Sequence, residues 1–300
     1  MVKRIYILFF MALVLAAAIA DPAYEKEIEQ WRQQRVKNLT SEDGWLTLVG
    51  LYWLKEGANK LGSDPSSDVL LPVGRAPKSA GKIFLEGGKV RLEVLPEVPI
   101  QHNGKPVKSL ELKPDDTEDV TTVTLGSVSF FAIKRANRLG IRIKDRENPD
   151  RTNFQGLSYF PVDAKWRLAA KFERYNPAKQ VPILNIIGFL EDTPSPGAVL
   201  FQHGGKSYRL EALEGGKDGK LFLIFSDQTS GKDTYGAGRY LYTDPPGADN
   251  TVIVDFNKAY NPPCAFTAFA TCPLPPKQNR LALRIEAGEK KYAASTKASH

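Results

Sequence analysis

The stretch KIFLEGGKVRLEVL, residues 82–95, sets two short runs of β-branched, aromatic and aliphatic residues on either side of Gly87-Gly88. Such runs favour extended backbone, and a glycine pair supplies the positive φ angles of a tight turn at little steric cost, so the stretch reads as a β-hairpin. The pattern recurs in VTTVTLGSVSFFAIKR (120–135), GIRIKD (140–145), WRLAAKFERY (166–175), KSYRLEALEGGKDGKLFLIFSD (206–227) and TVIVDF (251–256). The glycine-rich EGGKDGK (214–220) predicts a further hairpin. Repeated hairpins without intervening helical periodicity predict an all-β protein of antiparallel sandwiches or barrels. The exception is PAYEKEIEQWRQQRVKN (22–38), which places Tyr24, Ile28, Trp31 and Arg35 on one helical face, with Pro22 near the start where a missing N–H costs nothing.

The chain opens MVKRIYILFFMALVLAAAIA (1–20): Lys3 and Arg4, an uncharged apolar run, then Ala18-Ile19-Ala20. That order predicts a secretory signal peptide cut after Ala20, with an uncleaved anchor as the competing reading. The expected location is therefore periplasmic or secreted. Loss of Lys3 and Arg4 would lower the formal net charge from +7 to +5. The remaining charges alternate in sign along the chain, as on a solvated surface, so no nucleic-acid partner is expected.

Several chemistries lack their signatures. Beyond the terminal His300, only His102 in QHNG and His203 in FQHGG are available as bases, and there is no G-x-S-x-G elbow. Zinc-ligand spacing, a phosphate loop and a dinucleotide fingerprint are missing too, so neither a metal nor a cofactor is expected. DQTSGKD (227–233) offers Asp227 and Asp233 to a hard cation, and a solvated turn explains it equally well.

Directed polar groups concentrate in the second half. In TVIVDFNKAYNPP, alternation puts Val252, Val254 and Phe256 on one face, with Ile253, Asp255 and Asn257 on the other. A strand running into a proline-rich loop is a common place for a site. The candidate pocket is thus lined by Tyr235, Arg239, Asp255, Asn257, Tyr260 and Asn261, with Arg239 as counter-charge to Asp255 and as the group that holds an anionic or polyhydroxyl ligand. A structural Arg239–Asp255 ion pair is the plainer alternative. Cys264 and Cys272, flanked by prolines in a chain expected outside the cytoplasm, predict a disulfide that braces this loop; a free nucleophilic thiol is the rival reading.

The segments SDQTSGKDTYGAGRYL, VDFNKAYNPPCAFTAFATCPLPPKQNRL, GWLTLVGLYWLKEGANKLGSD, RLGIRIKD, NPDRTNF and FPVDAKWR together resemble the bacterial domain-of-unknown-function family 1684 over nearly the whole of the expected mature chain. That resemblance directs attention to residues without implying an activity. EGANKLGSDPSSDVLLP, GKIFLEGGKVRLEV, HNGKPV and TLGSVSFFAI are similar in order and spacing to a forkhead-associated β-sandwich, a phosphothreonine-binding fold. Asn103 and Gly104 match one element of its peptide site, and Ser63 stands where that family carries an arginine. The expected organisation is a signal peptide (1–20), an amphipathic helix (21–40), a forkhead-associated-like sandwich (41–146), a second β domain carrying the site (147–290) and a disordered tail (291–300). The leading expectation is binding of a polar or anionic small molecule or glycan in the second domain. The alternatives are a hydrolase or isomerase using Asp255 as general base with Arg239 and Tyr235, and a non-catalytic protein-interaction module.

Overall fold

The computed structural model describes residues 21–292; the expected signal peptide and residues 293–300 of the expected 291–300 tail lie outside the described residues, whereas the first two residues of that tail are packed, with Lys291 N–H donating to Asp233 C=O and Tyr292 against Phe266. A single long helix, α1 (Pro22–Thr40), comes first, with Asp21 capping its N-terminus through Ala23 N–H. The first half then supplies eleven strands: β1 (Leu48–Trp53), β2 (Gly57–Gly62), β3 (Val69–Leu70), β4 (Gly81–Glu86), β5 (Lys89–Val94), β6 (Gln101–His102), β7 (Lys105–Pro106), β8 (Ser109–Glu111), β9 (Thr122–Leu125), β10 (Val128–Arg135) and β11 (Arg138–Asp145). They form two sheets, ordered β1-β11-β10-β9-β6-β7 and β3-β2-β4-β5-β8. Leu61, Ile83 and Leu92 of one sheet meet Phe130, Ile141 and Ile143 of the other in a single core, which makes this half a β-sandwich. The opening hairpin is present: Glu86 pairs with Lys89 across Gly87 and Gly88, whose φ angles are 56° and 80°.

After a single-turn helix, α2 (Pro149–Thr152), the second half supplies β12 (Arg167–Leu184), β13 (Leu190–His203), β14 (Lys206–Glu214), β15 (Leu221–Phe225), β16 (Arg239–Thr243) and β17 (Thr251–Asp255). All pairs are antiparallel, in the order β16-β15-β14-β13-β12-β17. The curled sheet wraps a core of Trp166, Phe172, Phe201, Leu223, Phe225 and Phe256, into which the late segment drives Leu281, Ile285 and Ala287. The EGGKDGK turn joins β14 to β15, closed by the Gly215 N–H donating to Lys220 C=O at 2.8 Å.

Two features bring the halves together. The β12–β13 hairpin overshoots its own sheet, and its tip places Phe189 edge-on to Trp53 with Arg138 over the same ring. The loop after β17 lies against the sandwich, where Thr267 Oγ1 donates to Leu48 C=O. Helix α1 docks on the second half, although it precedes the first in sequence: Ile28 is fully buried, Tyr24 bonds Asp255, Lys258 bonds Glu27, and Arg35 pairs with Glu289. None of the described helices is long and apolar enough to cross a membrane.

Candidate functional site

The six residues proposed from sequence do not converge. β16 alternates, with Arg239 and Leu241 facing the core and Tyr240 and Tyr242 facing outward. β17 alternates as expected: Val252 and Val254 face inward, and Asp255 faces out. Arg239 and Asp255 thus lie on opposite faces of one sheet, and the expected pairing between them is corrected. Arg239 is fully buried; its Nη2 reaches Asp227 at 3.4 Å and donates to Ile285 C=O, and its Nη1 donates to Ala287 C=O. This clamp holds the late segment in the core and leaves no face to a ligand.

The remaining residues are structural in the same sense. Asp255 accepts from Tyr24 Oη at 2.8 Å and from the backbone and amide of Asn257, and Asn257 also donates to Asp163 C=O. Asn261 is buried, with its N–H donating to Glu289 and its amide to Lys290 C=O. Tyr235 donates to Cys264 C=O. With Arg239 behind the sheet and Tyr235 turned to the loop, neither can serve Asp255 as a catalytic partner. Asp227 is taken by Arg239 and Asp233 by Arg284, the carboxylates a hard cation would have used. Ser63 is buried and donates to Ala76 C=O, so the forkhead-like position carries no phosphate anchor. Asp255 borders a cleft beside α1, lined also by Arg167, Lys220 and Lys258, and Tyr260 faces a separate, larger cleft between α1 and β16.

That cleft lies between the halves and has two chambers. The first, of about 420 Å³, is walled by Arg142 and Arg135 of the sandwich, by Asn185, Glu191 and Thr193 of the overshooting hairpin, and by Thr271 and Cys272 of the loop. β11 points Ile141 and Ile143 into the sandwich core, so Arg142 projects from the opposite face, toward the second half. Arg142 is 3 % exposed, yet no carboxylate of the described residues pairs with it. Its Nη2 donates to Thr271 Oγ1 at 3.2 Å, and its Nε has no partner. Neighbouring Arg135 is satisfied by both oxygens of Asp115, at 2.9 and 2.8 Å. Burial, and then the charge of Arg135, pushes the Arg142 guanidinium down to about 10. An unpaired buried guanidinium is costly, and it is suited to receive an anion or several hydroxyls from a ligand.

The second chamber, of about 660 Å³, continues from the first across a shared wall of Trp45, Phe222, Tyr240 and Pro263. Trp31, Arg35, Gln34 and Asn38 of α1 form one side, and Tyr242 and Tyr260 the other. Phe222 and Tyr242 stack with centroids 4.7 Å apart, and Tyr260 lies nearly parallel to Tyr242 at 6.5 Å. Below the wall, Cys264 and Cys272 are free, buried neighbours, with Cys264 N–H donating to Cys272 Sγ at 3.1 Å. A separate side-chain hydrogen bond from the Cys272 thiol holds the Cys264 thiol below its ordinary range, whereas burial raises Cys272. Among the described residues, no group of three His, Cys, Asp or Glu side chains is placed to hold a metal ion.

Sequence reasoning missed Arg142, Thr271, Trp45, Phe222 and Tyr242. An arginine between two isoleucines of a strand reads as a solvated outer face, and nothing local announces that another domain covers it. The resemblance that included RLGIRIKD was the one signal over that stretch.

Residues 152–290 match the family described as "Protein of unknown function (DUF1684)". The chain is 31 % identical to an uncharacterized protein of Haloarcula marismortui solved by NMR, with 47 % of this chain and 78 % of that one covered and a TM-score of 0.40. It is 18 % identical to the FhaA FHA domain, crystallised in complex with the intracellular domain of Rv3910, over 31 % of this chain and 97 % of that one at a TM-score of 0.23. An FHA domain studied for phosphothreonine-dependent interactions is 19 % identical over 33 % of this chain and 96 % of that one, also at 0.23. No curated protein matches the chain.

Proposed function

This chain belongs to the DUF1684 family of proteins of unknown function, and we propose that it is an exported binding protein that takes a small polar, anionic ligand in the cleft between its two β halves. The observation that carries this reading is Arg142, a buried guanidinium without a carboxylate, lining an open chamber. Proteins rarely leave such a charge uncompensated, because its desolvation is not repaid until a counter-charge arrives. The chamber supplies further anchors in Thr271, Asn185 and Thr193, while Glu191 spends one oxygen on Ala136 N–H at 2.5 Å. Export rests on the composition of residues 1–20, and the neighbouring thiols are suited to close as a disulfide in an oxidising compartment.

The test is calorimetric titration with inorganic phosphate, sulfate and small mono- and dicarboxylates. The wild type is expected to bind at least one of them, and Arg142→Gln to weaken that binding by tenfold or more. Affinities unchanged by the substitution in a folded variant would remove the cleft from consideration.

A further inference from the structure

The second chamber has a lining different from the first. Its open face is aromatic: Trp45 is 36 % exposed and Tyr242 is 45 % exposed, and Tyr242 rests on Phe222 and runs nearly parallel to Tyr260. Exposed rings in a concave site are normally covered by something with a flat, weakly polar face. The rim is amide-rich where α1 passes over it, with the Asp43 carboxylate at its edge. Gln34 Nε2 donates to Asn38 Oδ1 at 2.6 Å, which leaves Gln34 Oε1 and Asn38 Nδ2 for a ligand, and Ser41 donates to Asp43 Oδ1. The one cation here, Arg35, is already paired with Glu289 and with Asn261 C=O, and it covers the back of the Tyr260 ring.

Aromatic faces that stack on C–H groups, beside planar amide and carboxylate groups that exchange hydrogen bonds with hydroxyls, match a pyranose ring. They match a second anion poorly. Trp45, Phe222 and Tyr240 wall both chambers, so the two sites are adjacent. We propose that the ligand is an acidic sugar, with its carboxylate or phosphate at Arg142 and its ring on the aromatic trough of Tyr242 and Trp45. This rests on the Arg142 reading and adds a ring requirement to it.

The experiment titrates the full chain with three kinds of probe. Acidic sugars are uronate disaccharides of gluco, galacto and manno configuration and the corresponding hexose 6-phosphates; cellobiose supplies a ring without charge; acetate and inorganic phosphate supply charge without a ring. At least one acidic sugar is expected to bind tenfold or more tightly than both the neutral disaccharide and its bare anion, and the uronate and phosphate arms identify which anion is read. Tyr242→Ala, at a half-exposed position and with the fold of the variant verified by circular dichroism, is expected to weaken the acidic sugar at least fivefold while leaving the bare anion unchanged. If every acidic sugar binds no better than its bare anion, or if Tyr242→Ala changes nothing, the sugar assignment is overturned while the anion site stands. If Arg142→Gln leaves both probes unchanged, the anion site falls and the sugar assignment with it.

Discussion

Arg239 and Arg142 are both buried guanidiniums on strands, and their surroundings give them opposite consequences. Arg239 faces Asp227 and two backbone carbonyls of the late segment, so Arg239→Ala strands a carboxylate in the core and frees residues 285–287. Urea unfolding is expected to show a loss of roughly 3–5 kcal/mol, the usual cost of breaking a buried pair from one side. Arg142 has no such partner, and Thr271 Oγ1 would keep its second donor, Arg135 Nε, at 3.0 Å. Arg142→Met should therefore be neutral or stabilising, by roughly 1–4 kcal/mol in the same measurement; a large loss would mean that Arg142 is structural. Its ligand affinity should also depend on pH. With its proton held only to about 10, the cation is complete below that pH and lost above it, so anion binding should be flat through neutrality and fall as pH rises past about 10. Arg135, Glu191, Glu214, Tyr240 and Cys272 also line the chamber, and Asp115 holds Arg135, so the difference between wild type and Arg142→Gln isolates the Arg142 contribution. From sequence, Arg239 looked like the ligand's anchor because its inward orientation and its carbonyl partners depend on residues almost fifty positions away.

Among the elements, those set by local pattern were legible, and those set by long-range packing were not. Alternation and paired glycines identify the hairpins, and the Tyr24–Ile28 face identifies α1, because period and turn chemistry are local. Where α1 docks is not local: Tyr24 meets Asp255 across 231 residues of chain, at 2.8 Å. Tyr24→Phe removes the donor while keeping the ring, and leaves an Asp255 whose Oδ2 already lacks a partner. A loss of about 1–3 kcal/mol is expected in thermal or urea unfolding; no loss would mean that water replaces the hydroxyl freely. The loop of Cys264 and Cys272 is also an interface element, since Thr267 and Thr271 from it bond Leu48, Arg135 and Arg142. Oxidation would close a loop worth roughly 2.5 kcal/mol in the chain-entropy model. Material prepared from an oxidising compartment should resist alkylation until reduced, and Cys272→Ser should lower its melting temperature; two thiols that alkylate freely would return the pair to plain core packing.

At the scale of the whole molecule, the cleft belongs to neither half. Its guanidinium comes from the sandwich, its loop and hairpin walls from the second half, and one side of its aromatic chamber from α1. Division of labour along the chain therefore differs from order along the chain, with α1 folded onto the half that is farther from it in sequence. The sandwich has a closed core of its own, shared between its two sheets, so residues 41–146 should fold alone as a cooperative unit. The second half has its own core as well, but without α1 it exposes the faces that Ile28 and Leu39 cover and loses the Tyr24, Arg35 and Glu27 contacts. Residues 147–292 alone should then unfold at lower temperature than the same segment supplied with the 21–40 peptide, a difference that differential scanning fluorimetry can read. Neither fragment should bind the ligand of the intact chain. Mixing 41–146 with a second half carrying α1 should recover binding only to the extent that the hairpin tip and the cysteine loop dock without the covalent connection. If residues 147–292 alone retain full affinity, the anchor lies outside the sandwich, and Arg142 is a buried charge with some other origin.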